Sequence, residues 1–258
     1  MLAALLLAVS LPARGASFLD GYRREPTPTR RRVSSVDDTK LRIGEQYTYR
    51  RTALSSLGGK SVELALLVDD RSAWHVDPAA RARLIEELGK TVGILESCSV
   101  GVGAIHVAEA WLSDDLRASL RTSDPYAPPA EVGVMRAVSA PVRPLALLVQ
   151  DGYTHAYNKT SVEQLARMHA ESRLLLDVAS VDWTTASDYQ SRFHTQPSYS
   201  LPAHELVHIL GDLDHVNTPE PNLMNGYEGS NPQEAGRAKS GALFPWQCEA
   251  IRRYLAPL

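Results

Sequence analysis

His204, Glu205 and His208 stand in the order H-E-x-x-H, and that spacing carries chemistry. Side chains four residues apart lie on one face of a helix, so both imidazoles can reach a single metal ion. Glu205, projecting beside them, is placed to take a proton from a water that the ion has activated. Zinc accepts imidazole ligands and brings a bound water to a pKa near neutrality, so a carboxylate suffices as the base. The cofactor implied is Zn2+. The competing reading, a surface helix with solvated histidines, leaves Glu205 without a task and the Gly211 turn without a reason.

The elements needed to hold such a site are visible around it. Leu206, Val207, Ile209 and Leu210 give the helix an apolar back, Pro202 suits its first turn, and Gly211 can end it in a left-handed turn. Upstream, Val62 to Val68 is a mostly apolar run of strand length. Asp77-Pro78 then opens a helix in which Leu84, Ile85, Leu88, Val92 and Leu95 recur at helical spacing. Val100 to Val107, Leu145 to Gln150 and Leu174 to Val181 are further strand candidates, and Ser161 to Ser172 reads as a helix. Strand, helix and strand in succession predict an α/β fold on a largely parallel sheet. Pro125 to Pro144, with five prolines, is predicted to be mostly loop.

The start of the chain has a different composition. Met1 to Ser10 is apolar and about the length of a signal core, and Pro12 to Ala16 places small residues at cleavage spacing, so residues 1–16 read as a secretory signal. Residues 17–60, with arginines dispersed among prolines, serines and threonines, read as a leader or pro-segment, which leaves 61–258 as the catalytic domain. A formal net charge of -3 gives no pull toward nucleic acid. No later apolar run approaches the roughly 20 residues of a membrane span, so no integral membrane segment is expected after signal removal. A secreted or periplasmic monomer is the expectation. Cys98 and Cys248 are the only cysteines. In an exported chain they are a candidate disulfide, the alternative being two buried thiols. His75, His106, His155, His169 and His194 lack ligand spacing and read as surface or hydrogen-bonded structural histidines.

The stretch from His204 to Met224 resembles the zinc-binding segment of the metzincin clan of zinc endopeptidases, whose pattern is H-E-x-x-H-x-x-G-x-x-H followed by a methionine-containing turn. His204, Glu205, His208 and Gly211 match at the clan's spacing, and Asn222-Leu223-Met224-Asn225 resembles the Met-turn, with Met224 under the metal. The third ligand departs from the pattern. Asp214 stands in register and resembles the aspartate that a few metzincin-like proteases use, whereas His215 comes one residue later. His215 would complete a three-histidine site through one extra residue after Gly211. Its spacing to Met224 resembles that of bacterial metzincin-like sequences in which the segment before the third histidine varies in length. His215 is therefore preferred as the third ligand, with Asp214 as the alternative.

The resemblance implies a zincin-like, metzincin α/β fold: a twisted, mostly parallel sheet, two long helices with the zinc helix at the cleft, the Met-turn, and a C-terminal helix. Phe244 to Leu255 fits that last helix, with Trp246, Ile251, Tyr254 and Leu255 as its expected buried face. It also implies a secreted zinc-dependent endopeptidase acting on protein or peptide substrates, with Glu205 as general base. The other readings are a catalytically silent secreted protein that keeps the scaffold for metal binding or interaction, and a zinc hydrolase of a non-peptide bond.

Overall fold

The computed structural model describes residues 18–26, 41–52, 60–69, 78–115, 145–150, 157–158, 178–182, 196–211, 213–225 and 239–255. The expected signal over 1–16, the proline-rich loop from Pro125 and the helix expected from Ser161 to Ser172 lie outside the described residues.

Within them, β1 (Tyr22–Pro26), β2 (Leu41–Arg51), β3 (Lys60–Asp69), β4 (Val100–Leu112), β5 (Leu145–Gln150), β6 (Tyr157–Asn158) and β7 (Val178–Asp182) form one sheet in the order β1-β2-β4-β3-β5-β7-β6. The strands β4, β3, β5 and β7 pair in parallel, while β1 on β2, β2 on β4 and β6 on β7 are antiparallel. The sheet is thus mixed, parallel at its centre and antiparallel toward both edges, where the sequence predicts a mostly parallel one. Three helices accompany it: α1 (Pro78–Ser97), α2 (Leu201–Gly211) and α3 (Pro245–Tyr254).

Part of the segment read from sequence as a leader lies in this sheet. Tyr47 and Tyr49 share one side of β2 and meet edge to face at 5.5 Å, and Tyr47 is buried. The Arg24 guanidinium sits 4.2 Å from the Tyr47 ring centre. Arginines here cover aromatic rings while their charges pair with Glu25, Glu45 and Glu96. A stretch whose charge resembles a solvated leader is therefore a strand pair.

The centre of the sheet follows its apolar pattern. Along β3, Val62, Leu64, Leu66 and Val68 alternate into the core. In β4 the buried branched residues shift phase, from Val100 and Val102 to Ile105 and Val107. The register explains the shift: Val62 pairs with Val102 and Glu63 with Ala104, so Gly103 is an extra residue that resets the alternation. His106, between those core positions, takes contacts from Thr48 Oγ1 at 3.0 Å and Glu63 Oε2 at 2.7 Å. It is a hydrogen-bonded structural histidine.

The helix α1 joins β3 to β4 and buries Leu88, Val92 and Leu95 at helical spacing, packing on β4. It passes into β4 through Cys98 and Ser99, the latter at φ 61°, a left-handed residue that ends the helix abruptly. Cys98 is disulfide-bonded to Cys248 of α3, closing a separation of 150 residues. A native cross-link typically stabilises by about 2–4 kcal/mol.

Trp246, expected on the buried face of α3, is 52% exposed, and Gln247 is fully buried instead. The helix turns inward through Gln247, Cys248 and Ile251. Their orientation is fixed by the disulfide and by the Gln247 amide, which accepts the Phe244 N–H at 2.8 Å. No helix among the described residues is long and apolar enough to cross a membrane.

Candidate metal centre

The described side chains of α2 from Leu201 to Leu210 are buried, and the helix packs beside α1, α3 and β7. Its start is capped by Ser200, whose Oγ accepts the Ala203 N–H at 3.3 Å and also lies 3.1 Å from Thr91 Oγ1 on α1. Leu206, Val207 and Leu210 are fully buried, and they fix the rotation of the helix. His204 and His208, one turn apart, are buried with them.

Beyond Gly211 the chain folds back on the helix it has just left. The Leu213 N–H reaches the His208 carbonyl at 3.3 Å, and the Leu213 side chain enters the core. A Cβ on Gly211 would stand 2.8 Å from Leu213 Cγ, so only a hydrogen fits there. Side chains alternate along an extended segment. With Leu213 inward, Asp214 is turned to solvent and His215 comes back toward α2.

His204, His208 and His215 then face one another. Their ring centres are 4.7, 5.1 and 4.8 Å apart, and one ligand nitrogen from each lies within 4.8 Å of the others. Nε2 of His204 stands 3.1 Å from Nε2 of His215 and 3.2 Å from Nε2 of His208. Nitrogens held about 2.0–2.1 Å from one zinc ion at tetrahedral angles are separated by about 3.3 Å. The donor set therefore fits zinc in type and spacing.

The protons decide what this cluster is suited to hold. His204 Nδ1 donates to the Leu223 carbonyl at 2.7 Å, and His208 Nδ1 donates to the Leu213 carbonyl. Carbonyls only accept, so both rings carry their proton on Nδ1 and present bare Nε2 lone pairs across 3.2 Å. Lone pairs so placed can receive a metal ion, and His204 Nε2 can also accept from His215 Nε2 at 3.1 Å. Burial, reinforced by His208 and Lys239, holds His204 well below the ordinary histidine range, so its ring is neutral at neutral pH. Burial and His215 bring His208 down to about 4.

No protein-family model matches this chain, and no curated protein matches it.

The structure brings His204, His208 and His215 into one group and leaves Asp214 outside it, exposed, with its charge opposing the depression of His208. Glu205 occupies α2 directly after His204, and its side chain lies outside the described residues. Met224 is fully buried in the same core cluster as Leu206 and Leu210. The Asn222–Asn225 turn around it is closed by Asn222 Oδ1, which accepts the Met224 N–H at 2.9 Å. The Val216 N–H bonds the Met224 carbonyl at 2.8 Å, tying this turn to the segment that carries His215.

Several groups at the site have no motif to announce them. The carbonyls of Leu213 and Leu223 orient the two histidines, and backbone atoms leave no trace in residue type. Lys239 is buried with its Nζ 5.6 Å from the Tyr199 ring, which itself lies 6.1 Å from the His204 ring. The one readable signal for such neighbours was Gln247, a polar residue where helical spacing from Ile251 expects an apolar one.

Proposed function

We propose that this chain is a secreted zinc-dependent endopeptidase of the metzincin type, with Zn2+ held by His204, His208 and His215. The observation that carries the reading is the pair of Nδ1–H donations to Leu223 and Leu213, which aims the Nε2 lone pairs into one space beside His215. Bound there, zinc supplies Lewis acidity that acidifies a water and polarises a carbonyl.

The remaining work falls to the chain itself. Glu205, adjacent to His204 on α2, takes a proton from the attacking water and passes it to the departing amine. Leu223, whose carbonyl meets His204, and Met224 beside it are fully buried, which supports a dry floor for the site. Export is supported by the apolar start of the chain and by the Cys98–Cys248 disulfide, a bond that persists in oxidising compartments.

The test is a peptide-library digest with and without a chelator, beside Glu205→Gln. The reading expects one zinc per chain, cleavage lost on chelation and restored by zinc, and a Glu205→Gln protein that keeps zinc while losing about 100-fold or more in rate. Zinc uptake with no peptide cleavage by the parent protein would favour the silent metal-binding reading, or a hydrolase of another bond. Full peptidase activity in Glu205→Gln would remove the glutamate from the mechanism.

A further inference from the structure

The histidine that depends on Leu223 depends in turn on a residue far from it in sequence. Leu223 lies between Asn222 and Met224, and its carbonyl can meet His204 Nδ1 only while this turn keeps its shape. Asn222 sets that shape from inside, with its Oδ1 on the Met224 N–H at 2.9 Å. An amide that accepts there must be held against rotation, because its two ends differ by a donor and an acceptor.

The hold comes from α3. Asn222 Nδ2 donates to Gln247 Oε1 at 2.9 Å, and Gln247 Nε2 donates back to Asn222 Oδ1 at 3.3 Å. Gln247 Oε1 also accepts the Phe244 N–H at 2.8 Å, which fixes which end of its own amide is the oxygen. Both amides are fully buried, so no water competes for these bonds. Cys248, the next residue, is anchored to Cys98 at the end of α1.

We infer that Gln247 is the positioning residue of the metal centre: its amide locks Asn222, Asn222 locks the Leu223 carbonyl, and that carbonyl sets the direction of His204. The inference rests on the metal reading given above and adds a residue that touches neither metal nor substrate. A purely structural role would lower stability without changing the ligand sphere. A positioning role changes both metal affinity and the geometry of the ligands.

Gln247→Met keeps the length of the side chain and removes every hydrogen bond it makes. Zinc affinity, measured by competition with a chromophoric chelator, is expected to fall about 10- to 100-fold, and the visible bands of the cobalt-substituted protein are expected to shift. Should Gln247→Met not fold, Asn222→Ser takes its place, since its hydroxyl can still receive the Met224 N–H while the links to Gln247 are cut. Parent-like affinity and cobalt bands in the folded variant would overturn the inference.

A second readout separates this inference from the metal reading. In the metal-free parent, the His204 Nδ1 proton is expected to be protected from exchange with water in nuclear magnetic resonance spectra, and Gln247→Met or its Asn222→Ser replacement is expected to lose that protection. A parent that takes up no zinc while this loss occurs defeats the metal centre and keeps the brace. Zinc uptake with protection unchanged in the variant defeats the brace and keeps the metal centre.

Discussion

The interior around α1, β3 and β4 and the interior around α2, the Asn222–Asn225 turn and α3 are both closed to water, but they are filled on opposite principles. The first is aliphatic, with Leu64, Leu66, Val68, Leu88, Val92 and Leu95 in contact. The second holds His204, His208, Asn222, Gln247 and Lys239 buried among Leu206, Leu223 and Met224. Apolar burial is non-directional and tolerates exchange of shape for shape. A buried polar group left without its partner costs about 1–3 kcal/mol, so each must be met at a fixed angle. The dry interior supplies stability, and the polar one spends part of it to aim two imidazoles.

Truncation in the dry interior separates the two roles most sharply. Leu66→Ala is expected to lower unfolding free energy by about 2–5 kcal/mol, since Leu66 is nearly fully buried and the cavity cannot collapse within a sheet. Zinc affinity of the folded fraction should stay within about threefold, because Leu66 orients no ligand. Urea unfolding of the metal-free protein and chelator competition measure the two quantities. A zinc loss tracking the stability loss would mean that the interiors are one cooperative unit.

The mirror experiment breaks the site and spares the core. His215 is exposed, so His215→Ala should leave metal-free stability within about 0.5 kcal/mol. Zinc affinity should fall by more than about 100-fold, beyond the range seen for residues that only orient a ligand. Asp214→Ala, one residue earlier and also exposed, should keep zinc within a few-fold of the parent. The reverse ranking would return the third position to Asp214.

That choice shows where sequence reasoning stops. The spacing of Leu84, Ile85, Leu88, Val92 and Leu95 predicts a helix over Ala79 to Leu95, and α1 spans Pro78–Ser97, because a 20-residue amphipathic pattern is a local signal. The run at Val62 to Val68 is legible for the same reason. Whether Asp214 or His215 faces His204 depends on Leu213 finding space against Gly211, which itself lies beside Ala250 of α3, an approach between segments about 40 residues apart. The pairing of β1 with β2 was hidden differently, since arginines that lie over tyrosines have the same letters as arginines in water. Trp246 and Gln247 are the clearest inversion: hydrophobicity favours burying the indole, and the bonds of Gln247 to Asn222 and Phe244 override it.

Gly211 is the point where a local strain would be felt in both stability and ligand direction. Gly211→Ala pushes a methyl group against Leu213 Cγ, at 2.8 Å before relaxation. Displacing Leu213 is expected to cost about 1–3 kcal/mol. It also moves the Leu213 carbonyl that receives His208 Nδ1, so zinc affinity should fall with stability here. Parent-like zinc affinity in a destabilised Gly211→Ala protein would show that the Leu213 carbonyl does not direct His208.

The smallest expected effect sits at the seam between the two interiors. Glu87 of α1 bonds Lys90 at 2.5 Å, and its backbone carbonyl accepts from Thr91 Oγ1 at 2.9 Å beside the Ser200 cap of α2. Burial raises the Glu87 carboxyl above its ordinary value of 4.5, with Lys90 working against the shift. A raised value means that the folded chain holds this proton more tightly than the unfolded chain does. Its contribution therefore favours folding at low pH and is lost as pH rises from 4.5 through the folded-state value. Glu87→Gln removes the ionisation and keeps an oxygen for Lys90. The metal-free variant should be more stable than the parent at pH 7 by less than about 1 kcal/mol, with the difference vanishing below the ordinary carboxylate range. Urea unfolding at pH 7 and pH 4 measures it. A variant less stable than the parent at pH 7 would mean that the Lys90 ion pair outweighs the burial it sits in, and that the seam belongs with the polar interior rather than the dry one.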